Sequence, residues 1–345
     1  KNDNNRKVDA YLRLGDCNFI SAKYWPAMDA YNKAIEMNSV SKDYAAFQKG
    51  ISYGFVGKND RKIEDLEKFI KTYPSSQYAD DALYELGNTY VNENNESKAI
   101  ASYDKLIANY SSSSFVAKSI LKQGLIYYNN NKPEPALTKF KKVVAEFPNS
   151  PESIQAVSTA RLIYVDNGRV DEYSEWVKTL SFVEVSDADL DNTTYESAEK
   201  QYLLNNSKQA ISGFSSYVAK FPNGLHALHA NFYLAQLYFA DGLESNSTKH
   251  YEYVISQPRN EFTEQALARL SQVYLKAKDY DKAIPVLTRL ENEADYPQNI
   301  TYAQSNLMKA YYEKQNYTKA VVYADKVLAN EKTDDRIKSD AQIII

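Results

Sequence analysis

Tyr73 to Tyr110 reads YPSSQYADDALYELGNTYVNENNESKAIASYDKLIANY. Leu83, Leu86 and Tyr90 recur at helical spacing, and so do Ile100, Tyr103 and Ile107. Asn94-Asn95 separates the two sets and suits a turn or a helix cap. The stretch therefore predicts two amphipathic helices joined in a tight hairpin. Gly87 falls inside the first helix, where glycine costs about 1 kcal/mol relative to alanine. A close approach of the two helices, with Ala99 as the second small residue, gives that glycine a reason.

The same spacing returns outside this stretch. Gly50, Gly87 and Gly124 lie 37 residues apart. Tyrosine follows each at the third position (Tyr53, Tyr90, Tyr127), and Ala99 and Ala136 come twelve after the last two. Pro74, Ser111 and Pro148 close each period. This order of small residue, aromatic, alanine, aromatic and proline resembles the tetratricopeptide repeat, whose usual length is about 34 residues. The added residues are expected in the turn between repeats.

Laid along the chain, the register gives nine units. The first runs from Val8 to Ser41 with Gly15, Ala27, Tyr31 and Ala34, and Trp25-Pro26 opens its second helix. The second, Asp43 to Tyr78, has Lys62 where a small residue belongs, so looser packing is expected there. The fourth carries Tyr127, Ala136, Phe140 and Pro148, with Pro133 opening its second helix. The fifth is degenerate: Arg161 replaces the glycine, followed by Tyr164, Tyr173 and Val177. Pro151 begins its first helix and Asn167-Gly168 makes its turn. Ser181 to Thr194 (SFVEVSDADLDNTT) is acidic and has no helical stripe, so a hinge is expected between sub-arrays 1–180 and 195–345. Units six to nine resume at Ala198, Ala235, Ser271 and Met308. Arg336 to Ile345 then reads as most of a tenth first helix. Its apolar finish suggests truncation, since a terminal cap is expected to have a polar outer face. The opening at Lys1, without Met, likewise reads as a processed or excised fragment.

Composition agrees with an ordered helical chain. Gly and Pro number ten each, and 25% of the residues are charged. Tyrosine is in excess, at 30 residues, and many fall at the aromatic positions of the repeat. The net charge of −4 and the absence of any Lys/Arg run longer than two argue against a nucleic-acid partner. No stretch approaches the roughly 18 apolar residues of a membrane helix. Cys17, the one cysteine, reads as a small buried apolar residue.

The resemblance to tetratricopeptide repeats implies an all-α, right-handed solenoid of about nine hairpins plus the partial tenth helix. First helices would line its concave face. The linkers Tyr73-Pro74-Ser75-Ser76, Phe147-Pro148-Asn149-Ser150 and Phe221-Pro222-Asn223-Gly224, with the helix Tyr78 to Gly87, look like repeats of bacterial envelope proteins. Such proteins include the periplasmic partner of the Tol-Pal system and the barrel-assembly lipoprotein. The Asn-, Lys- and Tyr-rich composition looks like that of a Bacteroidetes protein. A periplasmic or outer-membrane-associated location is what this resemblance implies.

If the register holds, the fourth residue after each small position faces the groove, and Phe19, Tyr128, Tyr202, Phe239 and Tyr312 are its aromatics. Phe47, Tyr84, Tyr195 and Phe232, three before the small position, lie nearby. Aromatics in a groove suit a peptide, a partner helix or a sugar chain. Burial between neighbouring first helices is the structural alternative. The expected function is a non-enzymatic protein-interaction scaffold. The alternatives are a glycan-binding outer-membrane lipoprotein and an accessory region of a larger enzyme.

Other chemistry is thinly represented. Asn88 and Lys122 occupy positions of the dicarboxylate clamp seen in some co-chaperone repeats, but the rest of that set is missing. Asp187, Asp189 and Asp191 have the spacing of a calcium loop, yet Asn192 stands where its glycine belongs and Ala198 where its glutamate belongs. A solvated acidic hinge is the simpler account. His226, His229 and His250 all fall in unit seven without converging spacing for zinc. No Gly-rich phosphate loop, Gly-x-Ser-x-Gly or supported Cys/His pair occurs. No catalytic residue, metal or cofactor is assigned.

Overall fold

The computed structural model describes residues 2–37, 41–331 and 333–345. The Lys1 start and the Asn38–Val40 end of the first unit lie outside the described residues. Nineteen helices and no strand occur among the described residues, an all-α solenoid. The first four hairpins are α1 (Asn2–Ile20) with α2 (Tyr24–Glu36), α3 (Lys42–Phe55) with α4 (Asn59–Thr72), α5 (Ala79–Asn92) with α6 (Glu96–Asn109), and α7 (Phe115–Asn129) with α8 (Pro133–Glu146). Then come α9 (Pro151–Asp166), α10 (Val170–Val177), α11 (Asp187–Leu203) and α12 (Ser207–Lys220). The remainder are α13 (Ala227–Ala240), α14 (Glu244–Ser256), α15 (Thr263–Lys276), α16 (Tyr280–Glu293), α17 (Pro297–Glu313), α18 (Tyr317–Ala329) and α19 (Asp335–Ile344). The chain divides into two compact units, one of residues up to 163 with 180–183 and one of residues 164–179 with 184–345. Within each, a helix packs almost entirely on its neighbours in sequence, as a stacked repeat must.

Every hairpin turns in the same way. Ala22, Gly57, Asn94, Asn131, Gly168, Asn205, Gly242, Lys278 and Gln315 all take positive φ, between 53° and 72°. The next residue's N–H returns to the carbonyl of the residue three after the small position, as Asn95 does to Tyr90 at 2.8 Å and Arg169 to Tyr164 at 2.8 Å; the acceptor is Asn18 in the first hairpin and Gln201 in the sixth. This is the Schellman closure of a helix C-terminus. Asn95, Asp279 and Asn316 then cap the following helix through their side chains. Even the degenerate fifth unit keeps this turn, at Gly168.

The glycines sit under aromatic rings. A Cβ on Gly87 would lie 2.5 Å from Tyr103, one on Gly124 2.5 Å from Phe140, and one on Gly15 2.5 Å from Tyr31. Tyr103, Phe140 and Tyr31 are fully buried. In the ninth hairpin the sizes are reversed, with buried Met308 on the first helix and buried Ala324 on the second. Bulk is conserved across the pair while its owner changes.

Two local expectations are corrected. Lys62 does not loosen the second hairpin: its stem lies against Gly54, and its ammonium reaches Glu85 at 2.7 Å with the side chain only 11% exposed. Cys17 is exposed, because two residues beyond Gly15 is about 200° round the helix from α2.

The expected hinge is also largely helical, since α11 begins at Asp187. Ser186 and Asp189 form a capping box: the Ser186 Oγ accepts from the Asp189 N–H and the Asp189 carboxylate accepts from the Ser186 N–H. Asp191 is buried, accepting from the Tyr217 hydroxyl at 2.5 Å and from the Leu225 N–H at 2.9 Å. These roles replace the solvated hinge, and the three aspartates do not form a calcium loop. The stripe was invisible because α11 buries Asp191, Thr193, Thr194, Ser197 and Gln201 in place of apolar residues.

Candidate ligand-binding face of the second unit

The first helices meet along seams where the residue four after the small position touches the residue two before it in the next hairpin. Tyr202 stacks on Tyr233, with centroids 4.7 Å apart and planes at 26°. Burial, and then Glu199, raise the Tyr233 phenol above its ordinary range. At the next seam the Arg269 guanidinium lies over the Phe239 ring, 5.0 Å from its centroid.

Beside Arg269 a cleft of about 760 Å³ opens, lined chiefly by Arg259, Glu264, Gln265, Arg269, Gln272 and Tyr296. Its walls are cross-braced. Glu264 accepts from the N–H groups of Asp295 (2.9 Å) and Tyr296 (3.1 Å) and from the Asn299 amide (2.6 Å). Arg259 donates to the Glu293 carbonyl and to Asp295. Arg269 is held on its second side by a bond of 3.1 Å to Gln272, and no carboxylate among the described residues lies within ion-pair distance of it. Tyr296 is 61% exposed.

The nine aromatics expected in the groove divide by register. Phe47, Tyr195 and Phe232 are buried and belong to the core, which corrects their assignment to a binding surface. Each stacks on the residue that starts the next first helix: Phe47 on Tyr78 (5.4 Å), Tyr195 on His226 (4.2 Å) and Phe232 on Phe262 (4.1 Å). Tyr84, half-buried, repeats the stack on Phe115 at 4.7 Å. The position three before the small residue thus locks hairpin to hairpin. Phe19, Tyr128, Tyr202 and Phe239 are half-buried, and Tyr312 is 46% exposed. Phe19 joins Tyr24 and the exposed Phe55 in a three-ring cluster at one hairpin end. These residues belong to different hairpins, and the structure joins each to local partners, as Phe19 to Tyr24 and Phe55 and Tyr202 to Tyr233, without gathering them into one site.

The recurrent tyrosines three after the small position serve elsewhere. Tyr90 and Tyr274 donate short bonds to Glu67 and Glu252 on the preceding second helix. Lys98, Lys282 and Lys319 lie over the rings of Tyr90, Tyr274 and Tyr311. Asn88, weighed as a clamp residue, accepts from the Tyr103 hydroxyl at 2.8 Å.

The histidines have separate partners. His226 pairs with Asn192 at 2.8 Å, His229 faces Glu261 at 3.5 Å, and buried His250 bonds Asn231 at 2.8 Å. No group of three or more metal-binding side chains gathers among the described residues. No helix there is long and apolar enough to cross a membrane.

Arg259, Glu264, Arg269 and Tyr296 escaped the sequence reading. Arg269 had a usable signal, because it stands two before Ser271 on the seam that already contains Phe239.

These features define a protein of stacked helical hairpins with a polar cleft on its first-helix face. Residues 81–113, 118–150 and 264–291 match models of the tetratricopeptide repeat, so the chain carries tetratricopeptide repeats in both units. Among solved structures, the MamA protein is 21% identical, with 59% of this chain and 96% of that one covered and a TM-score of 0.42. A tetratricopeptide repeat protein from Parabacteroides merdae is 14% identical, with 76% and 96% covered and a TM-score of 0.36. The TPR2AB domain of yeast Sti1, in complex with pHSP90, is 16% identical, with 78% and 98% covered and a TM-score of 0.37. No curated protein matches the chain.

Proposed function

We propose that this protein is a non-enzymatic interaction scaffold that holds a peptide or a partner helix on the face made by its first helices. One observation carries the reading. Hairpin stacking consumes the core aromatics, yet the first-helix face of the second unit keeps a braced cleft with hydrogen-bonding capacity unspent. Half-buried Tyr202 and Tyr233 extend that face with ring surface that a peptide can cover at small entropic cost. We also propose a periplasmic or outer-membrane-associated site of action in a bacterial envelope, for which the support is the likeness of the linkers to envelope repeats.

The test is affinity capture from a bacterial envelope extract with mass-spectrometric readout, using the wild type, Tyr202→Ala and Tyr128→Ala. Loss of the captured protein with helicity and melting retained supports the scaffold. Capture that neither substitution changes removes these aromatics from the binding face. Unfolding of both variants makes the rings structural.

A further inference from the structure

Resting on the peptide-binding reading, we propose that the cleft beside α15 is a subsite for a peptide carboxylate side chain, Asp or Glu, with Arg269 as the residue that receives it. The guanidinium is half-buried, fixed on one face by Phe239 and on one edge by Gln272. Other arginines nearby are neutralised: Arg259 by Asp295, and Arg289 by Glu293. Arg269 alone of these three faces the cleft without a carboxylate, so its planar fork is oriented in advance for a bidentate anion.

The surroundings choose the anion. Glu261, Glu264 and Asp295 also line the cleft. All three repel an incoming anion, but a phosphate, near −2 at neutral pH, is repelled about twice as strongly as a monoanion, whose single charge Arg269 can balance. The cleft volume, about 760 Å³, exceeds one side chain and admits the adjoining peptide backbone. Gln265 lies exposed on the same wall and makes no side-chain hydrogen bond among the described residues, leaving its amide for a backbone N–H or carbonyl. Exposed Tyr296 offers its ring to a flanking side chain.

The experiment measures binding of the full chain to three degenerate nonapeptide pools that differ only at the central residue: glutamate, glutamine or phosphoserine. The glutamate pool is expected to bind about tenfold tighter than the glutamine pool, as for a hydrogen bond to a charged group. Raised salt should shrink that margin. Arg269→Gln, checked for helicity and melting, should equalise the two pools. Arg269→Lys, which keeps the charge without the planar fork, should restore only part of the preference and serves if Arg269→Gln misfolds. Equal binding of both pools by the wild type, or a preference surviving Arg269→Gln, overturns the subsite and leaves the scaffold standing. Tightest binding of the phosphoserine pool overturns the choice of anion. If no pool binds while envelope capture still depends on Tyr202 or Tyr128, the subsite is wrong and the scaffold stands. If capture fails as well, both fall.

Discussion

Gly87→Ala puts a methyl group where the structure has an aromatic ring. The new Cβ would lie 2.5, 2.7 and 2.9 Å from three atoms of Tyr103. Tyr103 is fully buried, and its hydroxyl is tied to Asn88 at 2.8 Å, so the ring has little freedom to swing aside. Overpacking of this kind costs about 1–3 kcal/mol. Alanine returns about 1 kcal/mol of helix propensity, which leaves a net loss of up to about 2 kcal/mol. Gly50 supplies the internal control. Its Cβ would be tight only against the tip of Leu66, at 3.0 Å, with Leu66 Cγ and the Asp65 Cβ at ordinary contact distances of 3.4 and 3.5 Å, and that leucine tip can yield by a few tenths of an ångström. Gly50→Ala should therefore be neutral or slightly stabilising. A repeat array has no single unfolding free energy, so the measurement is amide hydrogen exchange read locally over α5–α6 and α3–α4. Adding Tyr103→Leu to Gly87→Ala rebuilds the Gly50–Leu66 kind of contact and should recover part of the lost protection. If Gly87→Ala protects α5–α6 as well as Gly50→Ala protects α3–α4, the close approach does not exist and the explanation of the 37-residue glycine period fails.

Four further outcomes are expected. Phe47→Ala or Phe232→Ala should cost about 3 kcal/mol through a core cavity, whereas exposed Tyr312→Ala should leave exchange in α17–α18 nearly unchanged. Asp191→Asn should cost about 1–3 kcal/mol, because Tyr217 and Leu225 donate to different oxygens of the carboxylate and the amide puts an NH2 group in place of one of them; protection retained at the α12–α13 junction would contradict this. Burial first, then Lys249, depress His250 to about 4, below the ordinary 6.5. The unfolded imidazole therefore takes its proton first. Stability in α13–α14 should be whole above pH 6.5 and fall by about 3 kcal/mol as pH drops to 4, a slope that His250→Gln should remove. Millimolar calcium should leave the melting of α11–α12 unmoved, and Asp189→Ala should lower its stability by about 1 kcal/mol through loss of the cap.

The hairpins were legible because one physical demand recurs at each of them. Gly87 and Tyr103, Gly124 and Phe140, and Gly15 and Tyr31 solve the same spatial problem, so the same letters return at the same spacing. Pro133 and Pro151 could be read as helix starts because a first-turn proline forfeits no helical bond. Reading failed where packing used unusual chemistry. Alpha-helix α11 hides a buried stripe of hydroxyl, amide and carboxylate side chains, and Lys62 fills a place normally given to alanine. In both cases compensation comes from outside the residue's own helix, from Tyr217 and Leu225 for Asp191 and from Gly54 and Glu85 for Lys62.

The binding face was legible only by halves, and the reason lies in helix geometry. Residues three before and four after the small position are seven apart, nearly two turns, so they share a face without sharing an environment. Phe232 and Phe239 show the difference. The first ends under Phe262, which opens the next helix, and is buried; the second ends under Arg269, is left half-covered, and its cationic partner lines the cleft. Register within one hairpin cannot distinguish these fates, because each is decided by the side chain that the following hairpin brings. For this reason a binding position here is a property of a pair of hairpins. Exchanging Arg269 alone should change what the cleft accepts while the protection of α13 and α15 stays as it was, whereas exchanging Phe262 should loosen both helices at once.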